Sequence, residues 1–313
     1  MIASMKKGLL GRDFLDMADL DAREVRQVLD LAHEIKKARR WPRRPLDGRH
    51  IAMLFQKPSH RTRVSFEVGV ARLGGHTTTL SEQDVQLGVR ETVGDAARVL
   101  DRYVDGVVAR LRSHADLLEL AASSTKPVIN ALTDRSHPCQ VLADLVTLEE
   151  VKGDLSRQHL VYIGDGNNIV ASLIEASALA GFALTVITPP GYQPRTDVVE
   201  RARSISPGKL RVTLTTELAA LDEATAIYTD VWASMGHETE IEARRKAFAP
   251  YQVNQAVMES APGAVFMHCL PAHRGEEVTD EVIDGPRSVV FDQAENRLYA
   301  QMALMSLLLG AGE

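Results

Sequence analysis

Cysteine is scarce: Cys139 and Cys269 are the only two in 313 residues, far apart and without a CxxC pair. That excludes a disulfide framework and a zinc-finger spacing, and it suits a reducing, cytosolic setting. No apolar stretch approaches the ~20 residues a membrane span needs. Near the start, Lys6 and Lys7 precede only Leu9-Leu10 before Arg12 and Asp13, too short a run for a signal peptide. A basic excess is also missing. The chain has 36 Lys and Arg against 42 Asp and Glu, a formal net charge of -6, which argues against nucleic acid as a partner. An anionic substrate must then be met by a local basic cluster. Low-complexity segments and solenoid-period repeats are absent as well.

What the chain does have is alternation. Length and a 45% hydrophobic content suffice for two ordinary domains. Strand-like apolar runs fall at Ile51–Phe55, His76–Leu80, Gly106–Leu111 and Pro127–Leu132. A second series follows at Leu160–Gly164, Ala183–Thr188, Leu210–Leu214, Ala226–Asp230, Ala264–Leu270 and Ser288–Phe291. Amphipathic helical patterns lie between them, for example Arg63–Leu73, Glu91–Tyr103, Ala115–Ala122, Cys139–Glu150, Ile169–Ala180 and Glu238–Phe248. Such alternation predicts an α/β chain of two doubly wound domains with mostly parallel sheets, linked by helices. Gly153 suits the C-terminal cap of the linking helix and sets the expected domains at 1–150 and 151–313. The last helix, 294–309, is expected to pack back on the first domain.

Ligands in open α/β sheets bind beyond the C-terminal strand ends, so residues just after predicted strands are the site candidates. After Ile51–Phe55 comes "KPSHRTRVSFE", a βα turn at a helix N-terminus that carries Ser59, Arg61 and Thr62. Unpaired N–H groups, hydroxyls and a guanidinium fork there suit a phosphate. A Ser59 N-cap and a solvated Arg61 explain the stretch equally well when it is taken alone. Arg110 ends the next strand, and His137 and Gln140 open the helix of "HPCQVLADL". "VYIGDGNNIVASL" lacks the G-x-G-x-x-G spacing, which counts against a nucleotide cofactor. Its Asn168 offers both donors and an acceptor, as an amino-acid head group needs. Asp230 in "YTDVWASMGHE" stands at a strand end, either to hold an ammonium or take its proton, or as a plain helix cap. In "FMHCLPAHRGEE", His268 and His273 flank Cys269 without a familiar ligand spacing, so no metal site is expected. Strand alternation directs His268 away from Cys269, leaving the thiol without a base and more suited to hydrogen bonding than to covalent attack. Arg297, early in the last helix, is a surface charge or a substrate donor.

Together "SHRTRVSFE", "HPCQVLADL", "GDGNN", "DVWASMG", "HCLPAHRGEEVTDEVIDG" and "AENRLYAQ" resemble the aspartate/ornithine carbamoyltransferase family, in the family's order, from about Phe14 to Leu309. Within it, S-M-G and H-C-L-P resemble the members that use ornithine. The resemblance implies transfer of a carbamoyl group from carbamoyl phosphate to the δ-amine of L-ornithine, giving L-citrulline and phosphate for arginine biosynthesis. It implies no cofactor. Ser59, Arg61, Thr62 and the backbone N–H of His60 would bind the phosphate, and Arg110, His137 and Gln140 the rest of that substrate. Asn168, Asp230, Ser234 and Met235 would hold ornithine, with Cys269, Leu270 and Arg297 bordering the carbamoyl group. The catalytic set implied is Arg110, His137, Asp230, Cys269 and Arg297. Gln86 would reach a neighbouring subunit's site in a homotrimer or a multiple of trimers. Two departures stand out: His60 where Thr is usual, and His237 where Gln is common. Competing readings are a carbamoyltransferase for putrescine or N-acetylornithine, catabolic citrulline phosphorolysis, and a small-molecule binding protein without turnover.

Overall fold

A computed structural model describes residues 8–38, 41–221, 223–233 and 240–310, with the backbone alone for Val85. The chain divides into two compact units, Met1–Ala143 with Arg297–Glu313, and Asp144–Asn296. In order, the first stretch forms α1 (Ala22–Lys37), β1 (His50–Phe55), α2 (His60–Arg72), β2 (His76–Ser81), α3 (Glu82–Val85), α4 (Val93–Leu100), β3 (Gly106–Arg110), α5 (His114–Ser123) and β4 (Val128–Leu132). Then come α6 (Pro138–Lys152), β5 (His159–Ile163), α7 (Asn168–Ala180), β6 (Ala183–Ile187), α8 (Thr196–Ile205), β7 (Val212–Thr215) and β8 (Ala226–Thr229). The chain closes with α9 (Ile241–Phe248), α10 (Gln255–Ser260), β9 (Val265–His268), α11 (Asp280–Ile283) and α12 (Val290–Leu309). Both α6 and α12 run through a point of division.

In the first unit, four parallel strands lie in the order β2-β1-β3-β4. The run Ile51–Phe55 is buried throughout, as a central parallel strand covered on both faces requires. The chain winds outward from β1 to β2 on one side and from β3 to β4 on the other. The topological switch therefore falls between the carboxyl ends of β1 and β3. α1 was not among the patterns singled out, yet its signals are plain. Asp21 accepts from the Arg23 and Glu24 amides while Glu24 reaches back to Asp21, and Val25, Val28, Leu29, Ala32 and Ile35 make its buried stripe. The final helix packs on this unit: a Cβ added at Gly69 would meet Met305 Cε at 3.2 Å, and one at Gly106 would meet Leu309 Cδ2 at 2.6 Å. A larger residue at either position would require those side-chain ends to shift.

The second unit has five parallel strands in the order β7-β6-β5-β8-β9. Its switch point lies between β5 and β8. A core of Val161, Ile163, Ile227, Phe266, Val278 and Val290 closes one face of the sheet.

Several expected elements differ. Ser288–Phe291 is not a strand. A single bridge pairs Ser288 with Phe266, and α12 starts at Val290, leaving Phe291 exposed. A four-residue apolar run cannot by itself distinguish strand from helix, and here the helix extends through it. The strand expected at Leu210–Leu214 forms at Val212–Thr215, displaced toward its C-terminal end. Glu91–Tyr103 is trimmed to α4 because Thr92 caps it, its hydroxyl accepting the Asp95 N–H at 3.1 Å. The pattern Glu238–Phe248 becomes helical at Ile241, and 238–239 lie outside the described residues.

Candidate functional site

In the first unit the residues expected to meet phosphate gather at the switch point. Ser59 is the N-cap of α2 in extended conformation, and its side chain makes no capping hydrogen bond. The cap reading for its hydroxyl therefore fails. Thr62 is 1% exposed and accepts from Arg297 Nη2 at 2.7 Å and from Arg110 Nη1 at 3.4 Å. Arg297 also donates through Nη1 to Gln140 Oε1 at 3.0 Å and is itself 3% exposed, so it is no surface charge. Strand β1 delivers Thr62, β3 delivers Arg110, β4 and α6 deliver His137 and Gln140, and α12 returns with Arg297.

The imidazole of His137 is held well below its ordinary value, first by burial and then by the positive fields of Arg297, Arg110 and Arg61. Three guanidinium groups thus bear on a neutral ring. A cationic surround with a neutral hydrogen-bonding group inside it suits a dianionic ligand that also carries a carbonyl. Two residues sit apart from this cluster. His60 is exposed on the first turn of α2. Gln86 is exposed too, in left-handed conformation (φ 45°) where α3 ends. Cys139 is buried, donates to the Asn130 carbonyl at 3.3 Å, and is pushed up to about 12, so it is a core thiol.

The second unit's switch point gathers a different chemistry. Asp230 follows β8; its Oδ2 accepts from Asn167 Nδ2 at 2.7 Å, and its Oδ1 accepts from Cys269 Sγ at 3.1 Å and from the Val231 amide at 2.8 Å. Asp230 is thus more than a helix cap. Asn168, singled out from the sequence, opens α7, but the side chain that reaches Asp230 is that of Asn167, which also caps α7 by accepting from Ile169 and Val170. Gly166 of G-D-G serves packing here. A Cβ at Gly166 would lie 2.4 Å from the Pro194 nitrogen and 2.6 Å from the Tyr192 oxygen. Ser234 and Met235, with His237, lie outside the described residues.

The expected opposition of His268 and Cys269 does not hold. β9 ends at His268, so strand alternation stops before Cys269, and ligating atoms of Asp230, His268 and Cys269 lie within 4.8 Å of one another. That trio has the donor types of a metal site, but both ring nitrogens of His268 are engaged. Nδ1 accepts the Leu270 N–H at 2.8 Å, which places the proton on Nε2, 3.2 Å from Glu277 Oε1. The ring has no lone pair to offer an ion. It acts as a buried post for the turn carrying Cys269 and Leu270, where Leu270 adopts φ +57°, an uncommon conformation for a non-glycine residue.

One residue that the sequence reading passed over organises this region. Arg244 is 4% exposed and donates to Asp165 Oδ2 at 2.8 Å, to the Trp232 carbonyl at 2.9 Å and to Glu240 Oε2 at 2.9 Å, with its guanidinium 5.1 Å from the Tyr192 ring centroid. It therefore joins the G-D-G turn, the segment after Asp230 and α9. Its position four residues before Phe248, on the buried face of α9, was the available signal.

Two doubly wound units, one with a guanidinium cradle and one with a carboxylate–thiol pair at its switch point, define a two-domain α/β enzyme. The family model for the aspartate/ornithine carbamoyltransferase carbamoyl-P binding domain matches residues 12–150, and that for the Asp/Orn binding domain matches residues 156–308. The chain belongs to the aspartate/ornithine carbamoyltransferase family. It is 51% identical over 312 residues to the anabolic ornithine carbamoyltransferase of Pyrococcus furiosus, covering 98% of this chain and 99% of that protein. It is 50% identical to the ornithine carbamoyltransferase of Thermococcus kodakarensis, again over 98% and 99%. The solved Pyrococcus furiosus structure superposes with TM-score 0.90 at 49% identity, covering 96% of this chain and 97% of that one. The solved anabolic enzyme of Campylobacter jejuni gives 0.88 at 36% identity, covering 94% and 97%.

Proposed function

We propose that this protein transfers the carbamoyl group of carbamoyl phosphate to the δ-amine of L-ornithine, forming L-citrulline and phosphate for arginine biosynthesis. The observation that carries the reading is the Thr62 hub, where Arg110 and Arg297 meet one hydroxyl beside a neutral His137. Ser59, Arg61, Thr62 and the His60 backbone N–H, at the N-terminus of α2, take the phosphate. Thr62, Arg110, His137 and Arg297 face the carbamoyl oxygen, with Gln140 holding Arg297 in place. A protonated His137 would add a fourth cation, whereas the neutral ring can donate one hydrogen bond to a carbonyl.

On the second unit, Asn168, Asp230, Ser234 and Met235 hold ornithine, with Cys269 and Leu270 beside them. The δ-ammonium gives up a proton, and desolvation near Asp230 and Cys269 favours the neutral amine. Its lone pair attacks the carbamoyl carbon, and the oxyanion is stabilised by the donors on the first unit. The C–O bond to phosphate then breaks as the departing phosphate takes the amine's second proton, leaving citrulline. Most of the rate gain comes from positioning and charge, not from a covalent intermediate.

The protein acts in a reducing cytosol as a homotrimer or a multiple of trimers. Gln86, exposed in the first unit, reaches a neighbouring subunit's site, and the exposed Val89 and Tyr103 suit such an interface. No helix among the described residues is long and apolar enough to cross a membrane. The test is citrulline formation from carbamoyl phosphate with L-ornithine, run beside putrescine, N-acetylornithine and aspartate. Turnover restricted to ornithine is expected. Turnover with another amine would overturn the assignment of Asp230, Ser234 and Met235, and none with any acceptor would favour a binding protein.

A further inference from the structure

Gln293 opens the first turns of α12 and is fully buried. Its Oε1 accepts the His268 backbone N–H at 2.9 Å, and its Nε2 donates to Asp144 Oδ1 at 2.7 Å. Asp144 is 2% exposed, on α6. All of these residues belong to the second unit. The amide has only one workable orientation, because a carboxylate only accepts and a backbone N–H only donates. The bond to Asp144 therefore decides which end of Gln293 faces His268.

What hangs from that bond is the turn that carries the thiol. His268 is gripped twice: by Gln293 at its backbone N–H, and through its ring, which accepts the Leu270 amide at 2.8 Å and meets Glu277 at 3.2 Å. Cys269 lies between two residues so fixed, and its Sγ donates to Asp230 Oδ1 at 3.1 Å. Burying a carboxylate and an amide is costly, and apolar residues of like volume would avoid that desolvation. The pair is therefore not explained by core packing.

We propose that Gln293 is a positioning residue for the amine side of the reaction. It sets the Cys269 thiol against Asp230 through the His268 backbone, and Asp144 fixes its orientation. This rests on the reading of Asp230 and Cys269 as amine-side groups. The wild-type citrulline assay tests that reading separately, because absence of citrulline would remove it whatever the variants do.

Three variants test the proposal, each checked by thermal unfolding and by separate KM values for the two substrates. Gln293→Glu sets two carboxylates face to face. The double change Asp144→Leu with Gln293→Met removes both polar side chains and leaves the His268 N–H without its acceptor. In both, the KM for ornithine should rise and kcat fall by about 10-fold or more, while the KM for carbamoyl phosphate stays within about twofold. In the double change Asp144→Asn with Gln293→Glu the two roles are exchanged. The amide then stands on α6 and donates to a carboxylate on α12, which still accepts the His268 N–H. That variant should return both constants to within about threefold of wild type. Wild-type ornithine kinetics in either disrupted variant that folds would overturn the proposal, as would equal rises in both KM values. If neither disrupted variant folds, the exchanged pair decides: a folded protein with a tenfold ornithine defect would overturn it.

Discussion

The two switch points share one topology and carry opposite chemistry. In the first unit, Arg110 and Arg297 meet at Thr62, and burial together with the positive fields of Arg297, Arg110 and Arg61 holds His137 well below its ordinary value. In the second, Asp230 is met by a thiol, an amide and a backbone N–H, with no guanidinium bonded to it among the described residues. Arg244, a buried cation of that unit, bonds Asp165, Trp232 and Glu240 instead. The same parallel-sheet topology can thus carry a cationic cluster or a carboxylate, according to what the loops after the strands supply. Net charge gives no hint of this, since an overall -6 hides a local cluster of cations.

The comparison can be broken most sharply on the first unit. Arg110→Ala should lower kcat by about 10³-fold, the scale for loss of a charged oxyanion donor. A steady-state assay with unchanged turnover would remove Arg110 from its role. The structural counterpart is Arg244→Met, which takes the guanidinium away from the buried Asp165 carboxylate. Chemical denaturation should show a loss of about 3 kcal/mol, and a loss under ~1 kcal/mol would mean that Arg244 is only loosely coupled.

Asp230→Asn keeps shape and removes charge, so kcat/KM for ornithine should drop about 100-fold. Binding of inorganic phosphate, measured by calorimetry, should not change, and a parallel loss of phosphate affinity would erase the distinction between the two halves. His137 yields a pH prediction. Its folded-state pKa lies below the unfolded value of about 6.5, so under that pH the unfolded chain binds a proton that the folded chain does not. Stability should therefore fall as pH drops through about 6.5, by up to ~1.4 kcal/mol per pH unit, with no contribution above it. His137→Gln should flatten that part of a stability-versus-pH curve. The smallest effect belongs to His60→Thr. The side chain is exposed and the backbone N–H survives the exchange, so the KM for carbamoyl phosphate should move less than about threefold.

Strands were the most legible part of the fold. Runs such as Ile51–Phe55 and Leu160–Ile163 are continuous and apolar because both sheet faces are covered. Ser288–Phe291 has the same look and is a bridge and a helix start, because nothing in four residues records which partner they meet. The placing of Thr62, Arg110, His137 and Gln140 just after strands was equally visible in the first unit. In the second, Asn167 was overshadowed by its neighbour, and the His268–Cys269 relation was misjudged because alternation was carried one residue past the end of β9. Arg244 and Gln293 were passed over because a polar residue on a helix reads as solvated until its face is known.

By itself the sequence determined that this is a two-domain parallel α/β protein, with Ser59, Arg61 and Thr62 in a turn after one strand and a carboxylate after another. Those features are local: apolar runs, helix starts and turn residues follow from short-range sterics and burial. Only the tertiary structure decided that Arg297, 235 residues from Thr62 along the chain, shares its hydroxyl with Arg110. It alone decided that His137 is neutral, and that Gln293 points its amide oxygen at His268. Each of these depends on long-range neighbours in a low-dielectric interior, where a partner's position sets both the charge state and the orientation of a side chain.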